Sequence, residues 1–232
     1  MNVTANIAIS KCGVLLNVLV TTVAALASVQ SFVSLNLDYV WAATIQCPTG
    51  PAFRCIGTSD ADDMRGTLNP DTMEGRRGDD SMNGRNGNDK MYGDIPIPFD
   101  TDLRTDNDEM NGGTGSDLMQ GGRGDDTIVG GTGNDFVSGF NDINLAPNPI
   151  LGDDDEIRGN TGSDRIQGNG GADILIGATG DDVIYHYTGS AGTHSDLNQD
   201  TISCGTGHDE AFINVSNDGD TAMNDCEIVH TG

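Results

Sequence analysis

Residues 112–138 read GGTGSDLMQ GGRGDDTIV GGTGNDFVS, three nonapeptides in one register with nothing lost between them. Each runs Gly-Gly-x-Gly-x-Asp-x-apolar-x. Constrained positions recurring at a fixed short period mark a repeat architecture, in which each unit buries its apolar residue only against its neighbours. The constrained polar and glycine positions are Gly112, Gly113, Gly115 and Asp117, then Gly121, Gly122, Gly124 and Asp126, then Gly130, Gly131, Gly133 and Asp135. Glycine serves where φ is positive and where carbonyls converge without a Cβ in the way. The x-apolar-x end suits a short strand with one side chain turned inward.

Working outward in this register extends the pattern over residues 57–212. The first block, 57–92, holds GTSDADDMR, GTLNPDTME, GRRGDDSMN and GRNGNDKMY. The second, 103–138, opens on LRTDNDEMN and continues through the three repeats above. The third, 150–185, runs ILGDDDEIR, GNTGSDRIQ, GNGGADILI and GATGDDVIY, and a fourth, 195–212, holds SDLNQDTIS and CGTGHDEAF. The sixth position is then always Asp: Asp62, Asp71, Asp80, Asp89, Asp108, Asp117, Asp126, Asp135, Asp155, Asp164, Asp173, Asp182, Asp200 and Asp209. The eighth is always apolar, from Met64, Met73, Met82, Met91, Met110 and Met119 to Ile128, Val137, Ile157, Ile166, Leu175, Ile184, Ile202 and Ala211. These Met residues read as core rather than as a soft-metal box, because Met packs irregular gaps. Inserts fall at 93–102, 139–149 and 186–194, each after an even number of repeats. If two nonapeptides make one coil, all three inserts leave from the same side.

Gly is 33 of 232 residues, about twice its usual share, and the net charge is -25. Such a composition leans towards disorder unless something neutralises the carboxylates. It also argues against nucleic acid and anionic membrane as partners.

The ends differ from the middle. Residues 1–43 hold one basic residue, Lys11, and a mostly apolar run over 13–33. They read as a secretory signal peptide, with small-residue cleavage motifs ending at Ala27 and Ala42. The alternative is an uncleaved membrane anchor through residues 12–35. Either reading exports the rest of the chain, to a secreted or cell-surface location, which suits paired cysteines. Residues 44–56 read as an N-terminal cap in which Cys47 and Cys55 enclose a Pro/Gly turn and could pair. In the tail, 213–232, the period is lost. A bond between Cys204 and Cys226 would pin it as a C-terminal cap. The sequence leaves the disulfide connectivity open.

The spacing implies multiple Ca²⁺ ions. Ca²⁺ takes six to eight oxygens, and one turn cannot supply that many. Two turns stacked about 4.8 Å apart can, so repeat n would share an ion with repeat n+2. Stacked carboxylates about 5 Å apart repel by roughly 3 kcal/mol per pair at an effective dielectric of 20. One apolar residue per nonapeptide cannot offset that repulsion and the ordering entropy of a Gly-rich chain. The expectation is a disordered chain without metal, with folding and Ca²⁺ binding as one equilibrium. Solvated turn-forming Asp is the bland alternative, and fourteen Asp in one register speak against it. No EF-hand loop is present.

On these motifs, residues 57–212 resemble the RTX (hemolysin-type) calcium-binding nonapeptide repeat family. The resemblance implies an all-β, right-handed parallel β-roll, a solenoid with Ca²⁺ in its turns. Members of that family are usually appended to a toxin, protease or lipase and leave through a C-terminal secretion signal. Here the export signal reads as N-terminal. The ending, with Cys204 and Asp209 followed by Asp225, Cys226 and Glu227, looks like small exported members outside the toxin group.

The expected function is an exported calcium-binding structural or adhesive module of the cell surface or extracellular matrix, with self-assembly or matrix contacts through the insert loops. The alternative is a β-roll belonging to a secreted carbohydrate-modifying or proteolytic enzyme. No HExxH or GxSxG motif occurs, and the expectation is no catalytic residue and no enzyme. His186, His194, His208 and His230 are scattered, although two of them flank the third insert beside Tyr185 and Tyr187. A flat recognition face would need a row of like residues at position seven, which is mixed.

Overall fold

The computed structural model describes residues 44–48, 54–94, 106–139, 153–186, 198–213 and 220–231. Its strands are β1 (Thr44–Gln46), β2 (Arg54–Ile56), β3 (Asp63–Arg65), β4 (Thr72–Glu74), β5 (Ser81–Asn86), β6 (Lys90–Tyr92), β7 (Glu109–Thr114), β8 (Leu118–Gln120) and β9 (Thr127–Thr132). They continue as β10 (Phe136–Ser138), β11 (Glu156–Thr161), β12 (Arg165–Gln167), β13 (Ile174–Thr179), β14 (Val183–Tyr185), β15 (Thr201–Thr206), β16 (Glu210–Ile213), β17 (Thr221–Ala222) and β18 (Ile228–Thr231). No helix occurs among the described residues.

Successive strands alternate between two parallel nine-stranded sheets, one of odd-numbered and one of even-numbered strands. Two nonapeptides therefore make one coil, and repeat n lies beside repeat n+2. The register carries the eighth position onto itself: Met110 pairs with Ile128, Ile128 with Ile157 and Ile157 with Leu175. Pairing passes straight across all three inserts, since β5 pairs β7, β9 pairs β11 and β13 pairs β15. The blocks thus stack as one continuous parallel β-roll. Each insert follows an even strand (β6, β10 or β14) and precedes an odd one, so all three depart from one corner. Beyond their first residues the inserts lie outside the described residues, as do residues 1–43 and with them the expected signal peptide or anchor.

The core is a thin double row. The eighth-position residues face inward from both sheets, and all fourteen are at most 2% exposed. With so little apolar area per repeat, van der Waals contact along the row matters as much as burial. The flexible thioethers from Met64 to Met119 fill it without demanding one shape.

Three details go beyond the sequence reading. First, the sequence predicts a strand only at positions seven to nine, but β5, β7, β9, β11, β13 and β15 run six residues. The odd sheet continues its pairing into the next repeat, as Asn160 with Ala178 and Thr161 with Thr179. The corner after an odd strand carries no insert in these blocks, so its backbone stays in stacking register. Second, the segment read as an N-terminal cap is itself a coil. Ile45 and Cys55 occupy the core slot, paired with Met64 and Met73. Third, the tail does not lose the roll. β17 and β18 pair with β15 and β16, and Ala222 and Val229 fall in register with Ile202 and Ala211. The sequence hid this coil because its Gly-x-Gly motif is gone and the spacing from Asp220 to Glu227 is shortened. Disulfides Cys47–Cys55 and Cys204–Cys226 tie the two ends.

Candidate metal centres

Each sixth-position Asp sits at a corner immediately before its strand. Its backbone N–H donates to Oδ1 of the Asp one coil further on. Along the odd sheet the rungs are Asp62 to Asp80, Asp80 to Asp108, Asp108 to Asp126, Asp126 to Asp155, Asp155 to Asp173 and Asp173 to Asp200, at 2.8–2.9 Å. Along the even sheet they are Asp71 to Asp89, Asp89 to Asp117, Asp117 to Asp135, Asp135 to Asp164, Asp164 to Asp182 and Asp182 to Asp209, at 2.7–2.8 Å. All fourteen Asp named from the sequence thus stand in two columns, and all are buried. The columns run on to Asp220, which accepts from Asp200 at 3.1 Å, and to Glu227, which accepts from Asp209 at 2.8 Å.

The ladder uses only one oxygen of each carboxylate. Oδ2 of Asp80, Asp89, Asp117, Asp126, Asp135, Asp164, Asp182 and Asp209 is buried with no hydrogen-bond partner. A buried carboxylate oxygen left in that state is costly unless a cation meets it. The surroundings show where one fits. A Cβ built on Gly130 would lie 2.5 Å from Asp135 Oδ2 and 2.9 Å from the Gly159 carbonyl oxygen. Gly112 and Gly121 would meet Asp117 and Asp126 with the carbonyls of Gly130 and Gly139 in the same way. The first glycine of the repeat therefore keeps open a corner on which a carboxylate and a carbonyl oxygen converge. Carboxylates and carbonyls are the oxygen donors that Ca²⁺ takes.

The other glycines answer to backbone shape. Gly113, Gly115, Gly122, Gly124, Gly131 and Gly133 have φ between 103° and 133°, a region open at little cost only to glycine. The left-handed φ persists at five second positions that are not glycine, Arg76, Arg85, Asn160, Asn169 and Ala178.

Burial without a cation works against the charged form. It is the largest influence raising Asp126 to about 8, Asp108 to about 9, Asp80, Asp89 and Asp164 to about 7, and Asp135 and Asp182 to about 6. Neighbouring carboxylates add to it, as Asp126 and Asp80 do for Asp108.

The fifth position, read from sequence as unconstrained, carries a second ladder of opposite sense. Here the side chain accepts from the N–H of the following coil. Asp79 accepts from Asn107, Asn107 from Asp125, Asp125 from Asp154 and Asp154 from Ala172, at 2.7–3.0 Å. On the other corner Asn88 accepts from Ser116, Ser116 from Asn134 and Asn134 from Ser163, at 3.0–3.2 Å. The signal was present: this position is Asp, Asn or Ser in nine of the fourteen repeats. At the C-terminal end Asp225 was also missed as a site residue. Its Oδ2 accepts from Ser203 Oγ at 2.8 Å and from the Gly205 N–H at 3.1 Å, closing the last turn.

A family model described as RTX calcium-binding nonapeptide repeat (4 copies) matches residues 56–95, 104–137 and 151–184. The chain belongs to this family of calcium-binding repeat proteins. The matched segments carry the Asp columns from Asp62 to Asp182. Comparison with curated proteins gives no match.

Proposed function

We propose that this chain is an exported calcium-binding β-roll whose folding is coupled to the metal, and that it serves as a structural or adhesive module outside the cell. The observation that carries the coupling is the double column of buried carboxylates, in which Asp80, Asp89, Asp117, Asp126, Asp135, Asp164 and Asp182 each hold one oxygen in the ladder and turn the other to an open corner. Asp62 to Asp209 would supply the carboxylate ligands. The first-glycine carbonyls, including those of Gly112, Gly121 and Gly130, would supply backbone oxygens. Bound Ca²⁺ contributes the positive charge that stacked carboxylates lack. The chain's own residues then do the rest: the glycines permit the corners, the ladder spaces the coils, and the eighth-position row closes the core.

The export reading rests on residues 1–43 and on two disulfides, which persist in oxidising compartments. The structural role rests on residues 57–212, which consist of nonapeptide repeats and three short inserts. The insert loops, all leaving one corner, are the proposed contacts for self-assembly or matrix components. Far-UV circular dichroism of the full chain during a Ca²⁺ titration tests the core of this reading. A cooperative gain of β structure is expected on adding Ca²⁺, and full β structure already present in chelator would overturn it. Removing all three inserts should abolish any assembly or surface attachment while sparing the Ca²⁺ response.

A further inference from the structure

One corner of the odd column departs from those before it. Gly57, Gly75, Gly93, Gly121, Gly139 and Gly168 each stand beside the next Asp of the column, from Asp62 to Asp173. The equivalent position beside Asp200 is His186, the residue after β14. Its backbone keeps its place in the stack: the His186 N–H donates to the Phe212 carbonyl at 3.1 Å, and its carbonyl accepts from Asn169 at 2.7 Å. The imidazole therefore enters the space that the other corners leave open. Its Nδ1 lies 3.2 Å from Asp220 Oδ2 and 3.9 Å from Asp200 Oδ2. The Oδ1 atoms of those two carboxylates are engaged in the ladder, accepting from Asp200 and Asp173. His186, Asp200 and Asp220 are at most 9% exposed.

We propose that His186, Asp200 and Asp220 form a site for a first-row transition cation of the Zn²⁺ class, chemically distinct from the calcium corners. The three ligand atoms lie within 4.8 Å of one another. A tetrahedral ion with ligands at about 2.0–2.2 Å sets them about 3.4 Å apart, and the two nitrogen–oxygen separations bracket that value. Imidazole suits Zn²⁺, Ni²⁺ and Cu²⁺, whereas Ca²⁺ takes oxygen. Three protein ligands leave a fourth position for water. The site lies where a clip is needed. Asp220 precedes β17, the shortest strand of the roll at two residues, and the metal would bind that final coil to the one before it. Such a site takes Asp200 out of the calcium set and leaves the other thirteen sixth-position Asp to Ca²⁺.

The test uses the full chain saturated with Ca²⁺, titrated with Zn²⁺ by calorimetry and with Co²⁺ by visible absorption. One tight equivalent is expected, with a tetrahedral Co²⁺ spectrum. His186→Gly restores the residue that the preceding corners of its column carry, so the Ca²⁺-induced circular dichroism should be retained. Its Zn²⁺ affinity should fall by at least about 100-fold, beyond the loss typical of an outer-sphere partner. Asp220→Asn should lose the same equivalent. The proposal is overturned if wild type takes up no Zn²⁺ in excess Ca²⁺, or if His186→Gly binds as wild type does. It is equally overturned if His230→Ala removes the zinc, which would place it on the exposed His230–Glu210 pair, 3.5 Å apart. Failure of the calcium reading would appear separately, as wild-type circular dichroism that ignores Ca²⁺.

Discussion

Replacing Asp126 by Asn should stabilise the roll without metal and destabilise it with metal. Asp126 Oδ1 accepts the Asp108 N–H at 2.8 Å, and its own N–H donates to Asp155 Oδ1 at 2.8 Å. Asn keeps an oxygen for the first rung and the N–H for the second, so the ladder survives. What disappears is the charge. In the metal-free roll burial raises the Asp126 carboxyl from 3.8 to about 8. A raised carboxylate means that the folded state binds more protons than the unfolded chain between about pH 4 and 8, so stability falls as pH rises through that window. At pH 7 the gap between the two states is about three pKa steps, and at 1.36 kcal/mol each the penalty is about 4 kcal/mol. Asn removes it. Asp108 and its neighbours still carry theirs, so the variant should remain unfolded in plain chelator but need less osmolyte to fold. In saturating Ca²⁺ the lost charge–metal interaction should cost about 1.5–3 kcal/mol, seen as a lower melting temperature. Asp126→Ala is the control. It also orphans the Asp108 N–H, at about 1–3 kcal/mol, and so should lose stability with Ca²⁺. Asn shifting stability in the same direction in both media would refute the reasoning.

Four other outcomes follow from the geometry. Gly133→Ala puts a Cβ on a backbone at φ 130° and against the Gly115 carbonyl, so the Ca²⁺-loaded form should lose at least about 1–3 kcal/mol. Ala178→Gly relieves φ 85° and should gain about 1 kcal/mol, both read by thermal melts in Ca²⁺. Adding Ca²⁺ at pH 7 in weak buffer should release almost no protons. The unfolded chain carries ordinary, already ionised Asp, whereas a preformed metal-free roll with Asp108 at about 9 and Asp126 at about 8 would release several. Removing Cys204–Cys226, which closes a sequence separation of 22, should lower stability by about 3 kcal/mol on loop-entropy grounds, measured as a Ca²⁺ midpoint moved upward in the Cys-to-Ser double variant.

The repeats were legible because their constraints are local. Asp117, Asp126 and Asp135 and the glycines around them are demanded by one corner's backbone and one corner's chemistry, and the same demand recurs every nine residues. His186 was not legible in the same way. In the sequence it is the first residue of an insert, far from Asp220, and nothing in the spacing shows that it takes a glycine's place in a column. The terminal coil was missed for a related reason. Asp220, Asp225 and Glu227 do their work by position in the stack, after the motif that would have announced them has worn away.

The sequence by itself determined the period, the inward row from Met64 to Ala211, the fourteen carboxylates and the metal class they suit. Those follow from residue type at fixed spacing. Only the tertiary structure decided that the four blocks stack without a break, that both ends join the roll, and that one carboxylate oxygen is spent on the ladder while the other faces the corner. Parallel stacking brings together residues 18 to 29 apart, and no local rule states how many residues an insert can add before the next coil finds its place. Beside Asp200, in the column to which Asp126 belongs, a histidine stands where the earlier corners hold glycine.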